Sequence, residues 1–334
     1  MRSLSIARVL FAAAIAIAAG SPAAAQVERV GTPITGRPPM RVIPVAPTPR
    51  PDVPLLIGLY SGHAIRIDNM AGAAVQELAN DFRRGPETTA PRLGLGPQGR
   101  LVALIPGGIP QNRVLLPTPG WQVIDGRLNQ TTDFDLDASG LVMYGVSSST
   151  KQIFRYDMAS RDLRLVGGPG TGPGQLAYPE HTAIDPMGRI YVADGSRIVR
   201  MNDITGNGWT AFGSHGGGRG QFNSITGLAV DSKGRIYASD YFNNRIVKID
   251  DITGAGWAEY RTGISHPRGV ATDMFDRLYV ALPRSDRVLR MDDITGAGLK
   301  LFDLTRVPGF TRPTHGGPAS IVPLRPGRRD DIPR

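Results

Sequence analysis

The chain has 334 residues, among them 42 glycines, 28 prolines and no cysteine, and its 38 basic against 29 acidic side chains give a net charge of +9. Without cysteine there is no disulfide, no thiolate metal site and no lipid attached to cysteine. The basic excess is scattered, much of it at the ends (Arg29, Arg37, Arg41 and Arg50; Arg325, Arg328, Arg329 and Arg334), so it reads as solvated surface with weak attraction to anionic envelope polymers and not as a nucleic-acid-binding stripe.

Residues 1–25 read as a secretory signal peptide. Arg2 and Arg8 precede an apolar run from Val9 to Ala19, and Ala23, Ala24 and Ala25 offer a small-residue cleavage site. The run is short for a membrane span, and no later stretch is long or apolar enough to be one, so no transmembrane segment is expected and the mature chain is expected to be periplasmic or secreted. Loss of Arg2 and Arg8 lowers the net charge from +9 to +7. Residues 26–54 are rich in proline and lack apolar periodicity, and they read as an extended tether.

From residue 55 onward the chain is repetitive. Asp185-Pro-Met-Gly-Arg-Ile-Tyr-Val-Ala-Asp194, Asp231-Ser-Lys-Gly-Arg-Ile-Tyr-Ala-Ser-Asp240 and Asp273-Met-Phe-Asp-Arg-Leu-Tyr-Val-Ala-Leu282 are near copies, 46 and 42 residues apart. Each is followed by a basic strand and the turn Asp203-Ile-Thr-Gly206, Asp251-Ile-Thr-Gly254 or Asp293-Ile-Thr-Gly296. Strands and Gly-rich turns at this period indicate propeller blades. A first turn recurs as Asp-x-x-Gly at Asp137, Asp185 and Asp231, with degenerate forms at Gly96–Gly99 and Asp273–Asp276. Asp caps such a turn with its side chain, and the closing Gly accepts positive φ. A second turn begins at Asn69, Pro117, Asp157, Asp203, Asp251 and Asp293.

Six second, third and fourth strands can be counted, but only five first strands precede the last turn, near 91–96, 132–137, 180–185, 226–231 and 268–273. The sixth is expected downstream, in Gly317-Pro-Ala-Ser-Ile-Val-Pro323, where it would complete the first blade and close the ring. The expected fold is an all-β, six-bladed propeller of four-stranded blades over 55–323, with a basic tail at 324–334.

Gly218-Arg-Gly-Gln-Phe222, Gly227-Leu-Ala-Val-Asp231, Gly234-Arg-Ile-Tyr237, Asp240 and Asn244-Arg-Ile-Val-Lys248 together resemble an NHL repeat, strongly over 170–303 and more weakly over 55–165. The resemblance implies blade structure, not one chemistry. The family holds non-catalytic ligand- and protein-binding domains and metal-dependent lyases, and related six-bladed propellers include lactonases.

The most regular positions read as structural. Ala183, Ala229 and Ala271 suit a crowded axis, Tyr191, Tyr237 and Tyr279 a half-buried sheet, and Asp240 with Arg245 a local ion pair. The series Arg66, Arg155, Arg200, Lys248 and Arg290 reads as the solvated face of the third strands. The Gly-rich runs 167–174 and 213–220 lack the Gly-Lys-Ser/Thr and the helix of a phosphate loop, and they read as inter-blade connections.

Alternating strand direction places His63, His181, His215, His266 and His315 on one face of the ring, opposite the Asp-x-x-Gly turns. Around the axis on that side fall Arg92, Thr132, Asp133, Asp135, Glu180, His181, Thr226 and Arg268, the expected ligand-binding set. Asp135 replaces a small residue on an inner strand, a costly place for a carboxylate unless it is hydrated, paired or metal-bound. Asp133, Asp135, Glu180 and His181 could therefore hold one divalent metal such as Ca or Zn, while pairing of Asp with Arg92 or Arg268 is the structural alternative. Tyr60, Tyr241 and Phe242 could add aromatic walls. The sequence favours an exported, non-catalytic module that binds a small polar ligand or a protein through the His-bearing face. A metal-dependent lactonase, hydrolase or lyase at the channel mouth is the alternative. In lyases of the NHL type a His stands in several first strands near the axis, and here only His181 does so.

Overall fold

The computed structural model describes residues 26–28, 41–43, 50–60, 64–72, 76–79, 91–95, 101–105, 113–116, 122–307 and 317–324. The signal peptide, the basic tail after Leu324, His63, His315 and the turns at 96–99 and 117–120 lie outside the described residues. The chain divides into two compact units, Met1–Pro51 and Asp52–Arg334. In the first, Gln26–Glu28 pairs antiparallel with Arg41–Ile43, so the proline-rich segment is not simply extended.

In the second unit the repeats become four-stranded antiparallel sheets, six among the described residues. Three begin on the inner strands Asp133–Leu136, Pro179–Ile184 and Ile225–Val230, and two more on Arg92–Leu95 and Val270–Thr272; each then runs outward in chain order. The remaining sheet is assembled from both ends of the unit. Pro318–Pro323 pairs antiparallel with Leu55–Leu59, which continues into Ala64–Ile67 and Gln76–Ala79. The expected closure is therefore present, with Ile321 opposite Ile57 and Pro323 opposite Leu55. Each inner strand adjoins the next around an axis, and the series returns on itself. The chain folds as a β-propeller.

The core lies between sheets. Ala183, Tyr191 and Ile198 of one sheet pack on Leu228, Ile236 and Val247 of the next. Tyr237 and Ile246 in turn pack on Val280 and Leu289, and Tyr279 and Val288 on Ile57 and Ile65. Because a sheet in the ring is covered on both faces, the second strands Ile190–Asp194, Ile236–Asp240 and Leu278–Leu282 are buried at every position. This explains why Ile-Tyr-Val-Ala and Leu-Tyr-Val-Ala read as continuous apolar runs without in–out alternation. Among the described residues no helix is long and apolar enough to cross a membrane.

One repeated network fixes the first turn. Asp231 Oδ1 accepts from the backbone N–H groups of Lys233 and Arg235, while its Oδ2 accepts from Arg235 Nε and the Tyr237 hydroxyl. Asp185 does the same with Met187, Arg189 and Tyr191, and Asp273 with Phe275, Arg277 and Tyr279. Burial and the adjacent carboxylate push the Tyr191 hydroxyl up to about 12, so it stays protonated and donates. The tyrosine is thus the third member of a buried polar cluster and not merely a sheet-surface residue. The third-strand basic series also departs from the solvated face expected of it: Arg66 pairs with Asp68, Arg155 with Asp157, Lys248 with Asp250 and Arg290 with Asp292, and Arg290 is buried.

The pair of Asp240 and Arg245 forms as expected, with both side chains fully buried. Arg245 also donates to the carbonyl oxygens of Gly217, Gly218 and Gln221. The Gly-rich loop therefore presents carbonyls to a cation, the reverse of a phosphate cradle.

Deletion of residues 313–334 removes the inner strand Pro318–Pro323 and bares the edge of Leu55–Leu59. The truncated chain is expected to melt at least about 10 °C lower and to self-associate, whereas deletion of 325–334 alone leaves both properties unchanged. Differential scanning calorimetry with light scattering reads both, and a monomer melting like the full mature chain would disprove the closure argument.

Candidate functional site

The inner strands start on the His-bearing face and end at the Asp-x-x-Gly turns, so equivalent residues form levels along the axis. The first level carries Arg92, Asp133, His181, Gly227, Gly269 and Ser320. Backbone crowding dictates the glycines. A Cβ on Gly227 would sit 2.2 Å from the Arg268 carbonyl oxygen, and one on Gly269 would sit 2.4 Å from that of Ala319. Where the spacing relaxes, three charged or titratable side chains converge. Arg92 Nε is 3.1 Å from Asp133 Oδ1, and Arg92 Nη2 is 3.0 Å and 3.1 Å from the two ring nitrogens of His181. His181 Nδ1 in turn lies 3.5 Å from Asp133 Oδ2.

Both Asp133 and His181 are buried. Burial raises the Asp133 carboxyl, but the Arg92 guanidinium, His181 and the Thr182 N–H outweigh it and hold the group below the usual carboxylate range. Burial and then Arg92 push His181 below its ordinary value, so near neutrality the imidazole is uncharged and its unprotonated nitrogen accepts from Arg92.

Asp133 and Asp135 share a second task. Asp133 Oδ2 accepts from the Thr182 N–H and Asp135 Oδ2 from the Ile184 N–H, both at 2.9 Å. Two carboxylates spaced two residues apart thus cap two amides, also two apart, on the edge of the neighbouring inner strand. This is why a carboxylate replaces alanine on one strand: its burial cost is offset by hydrogen bonds that also join adjacent sheets. Elsewhere around the ring the joint is made by Thr226 donating to the Pro267 carbonyl, Thr272 to Val230 and Ser320 to Pro91. Asp135 remains the less compensated of the two carboxylates, and burial pushes its pKa up to about 6.

The expected site residues divide. Arg92, Asp133 and His181 come together, with Asp135 two residues deeper. Glu180 is exposed, and it acts on His181 only through its charge. Thr132 is taken up by Ser148, and Thr226 by Pro267. The metal set expected from Asp133, Asp135, Glu180 and His181 is not formed. The Arg92 guanidinium already sits against both Asp133 and His181, and among the described residues no group of three or more His, Asp or Glu side chains could hold a metal ion.

Arg268 belongs to a second cluster on the His-bearing face. Its guanidinium lies 5.3 Å from the Tyr60 ring centroid and 5.1 Å from that of Tyr241. Tyr241 meets Phe242 and His266 edge-on, with centroids 4.9 Å and 4.8 Å apart. His266 has φ 48° and Asn244 φ 51°, left-handed conformations held together by the His266 N–H donating to Asn244 Oδ1. The expected aromatic walls thus gather around one arginine. Tyr60 and Tyr241 hold the same repeat position, just after the second strands Leu55–Leu59 and Ile236–Asp240, but sequence reading missed their convergence because they lie in different sheets and meet only across Arg268, which precedes the inner strand of a third.

Below the first level the axis widens past Gly94, Ala183, Ala229 and Ala271 into a cavity of about 860 Å³. It reaches the turn tips, where Met187 and Met274 are 78% and 57% exposed. The cavity mouth described here is therefore on the turn face, and Arg92, Asp133 and His181 form its inner end.

Comparison with known proteins adds the fold class and little more. Residues 171–201 match the family model "Strictosidine synthase-like, N-terminal", a stretch too short to show membership of that family. No curated protein matches the sequence. A chain from the crystal structure of a nidogen/laminin complex is similar, with a TM-score of 0.61 at 14% identity, and the match covers 80% of this chain and 97% of that one. A catalytically inactive virginiamycin B lyase from Staphylococcus aureus with quinupristin gives a TM-score of 0.50 at 13% identity, covering 74% and 78% of the two chains. A streptogramin B lyase gives 0.50 at 12% identity, covering 73% and 76%. At these identities the shared property is the β-propeller.

Asp135 provides a stability test. Its folded-state pKa, about 6, lies above the ordinary value of 3.8, so between these values the folded chain binds more protons than the unfolded one, and stability falls as pH rises through the window. Asp135→Asn mimics the protonated acid. The melting temperature of the variant relative to wild type is expected to rise by a few degrees from about pH 4 to pH 7, with no further change above it. A difference that does not vary with pH would refute this assignment.

Proposed function

We propose that the chain is an exported, six-bladed NHL-type propeller that acts as a non-catalytic binding module, holding a small polar ligand or a protein on its His-bearing face. The supporting observation is the cluster there: Arg268 between two tyrosine rings, beside Phe242, which is 57% exposed. Large apolar side chains exposed next to an organised cation suit recognition, since Arg and aromatic residues dominate the energetics of binding surfaces. The resemblance to an NHL repeat and the likeness to a chain of a nidogen/laminin complex support a binding reading. Among the described residues the enzymatic alternative has no constellation to carry it. His181 is tied to Arg92 and Asp133, and His266 stacks on Tyr241 outside the axial cluster.

Export rests on the N-terminal segment, and the mature chain is proposed to begin at or near Gln26 in the periplasm or outside the cell. The intact mass of protein recovered from the producing cells checks this, and a mass retaining residues 1–25 would sink it.

Binding is tested by passing periplasmic and secreted fractions of the producing cells over the immobilised mature chain, with retained small molecules and proteins read by mass spectrometry. A bound species should be lost from a Phe242→Ser/Arg268→Ala variant that melts like wild type and kept by the turn-face variant Lys233→Ala/Met187→Ser. Loss on the turn-face variant alone would move the site to the other end of the axis.

A further inference from the structure

We infer that the His-bearing face is built for an aromatic carboxylate: a planar acid whose carboxylate engages Arg268 and whose ring packs on Tyr241 and Phe242. The inference rests on the binding reading above and names the ligand class for that face.

The charge balance comes first. Arg92 on this side is matched by Asp133. Arg268 has no such partner among the described residues: its side-chain contacts are the Tyr60 hydroxyl and the faces of Tyr60 and Tyr241. Arg284 is exposed and near enough to His266 for its charge to help push that imidazole below its ordinary value, after burial. Arg92 likewise acts on the Tyr60 hydroxyl. An anion arriving at Arg268 thus meets a neighbourhood with surplus positive charge.

Geometry narrows the anion. Contact with two rings fixes the guanidinium, and the N–H groups not engaged by the Tyr60 hydroxyl remain as donors, a fork that matches a carboxylate in two parallel hydrogen bonds. Stacked arginine is also preorganised, so less side-chain freedom is lost on binding. Beside it, Tyr241, Phe242 and His266 meet at interplanar angles of 89°, 75° and 81°. Three mutually edge-on rings leave ring faces and edges available to a fourth ring in the same T-shaped or offset manner. A bare inorganic anion would use the arginine and leave the exposed Phe242 in water. An aromatic amine would use the rings but be repelled by Arg268 and Arg284.

The experiment uses the mature chain with 3-phenylpropionate as probe, and phenethylamine and propionate as controls, each titrated by ligand-observed NMR. Phenylpropionate is expected to bind at least ten times more tightly than either control. Arg268→Gln should weaken it about tenfold, Phe242→Ser should weaken it several-fold, and Met187→Ser should leave it unchanged. Melting curves verify that each variant folds; if Arg268→Gln does not, Arg268→Lys replaces it, since lysine keeps the charge but loses the planar fork and should also weaken binding. Equal binding of phenethylamine, or phenylpropionate binding that survives the folded arginine variant, would overturn the inference.

Competition separates this inference from the reading beneath it. If species retained from cell fractions depend on Arg268 and Phe242 yet are not displaced by phenylpropionate, the ligand class is wrong and the binding face stands. If retention ignores both residues, the face itself is wrong.

Discussion

Everything in this molecule depends on a strand borrowed from the far end of the chain. A propeller sheet hides both faces against its neighbours, so a gap anywhere leaves two apolar faces and an unpaired edge in water. Pairing Pro318–Pro323 with Leu55–Leu59 closes that gap. The same contact places part of the candidate site. The Tyr60 N–H donates to the Gly317 carbonyl, and Ser320 donates to the Pro91 carbonyl, next to Arg92. Ring closure and the position of two site-bordering side chains are thus one event.

Inside each sheet a second constraint operates. The turn aspartates Asp185 and Asp231 are buried with their tyrosine partners, their arginine partners half-buried beside them, and every acceptor position named above is filled. Removing such a carboxylate would strand an arginine, a hydroxyl and two amides, which is why the motif repeats with so little variation inside one chain. At the axis the chain spends its variation instead. Six equivalent positions carry Arg, Asp, His, Gly, Gly and Ser.

The architecture was legible because repetition multiplies weak local signals. Asp-x-x-Gly, the small inner-strand residue and the following apolar run each mean little alone, but their recurrence fixes strand order and even the missing strand. The Arg at four residues and Tyr at six residues after Asp185, Asp231 and Asp273 were equally visible, yet their shared carboxylate follows only from the turn that folds them together. The site was less legible for a related reason. Repeat alignment identifies which residues share a level but not which way each side chain turns: Glu180 and His181 are adjacent, and one is exposed while the other is buried beside Arg92. Asp135 stood out as an anomaly, but its role as a cap for Ile184 depends on the neighbouring sheet's backbone, which no residue pattern encodes. Nor did the sequence show that the cavity opens among the turns.

The closing sheet has one more property. It alone lacks a covalent first turn; in its place the Leu324 N–H donates to the Pro54 carbonyl, 2.8 Å away, and both residues lie at the turn end of the axis. Entry and exit of the ring are therefore a single spot. Both leads, at Pro54 and Leu324, join the ring at the turn face. A partner fused or anchored through either lead would pull on the turn face, and the tension would run directly across the Pro323–Leu55 pair, unzipping the borrowed strand from its end and not shearing the ring as a whole.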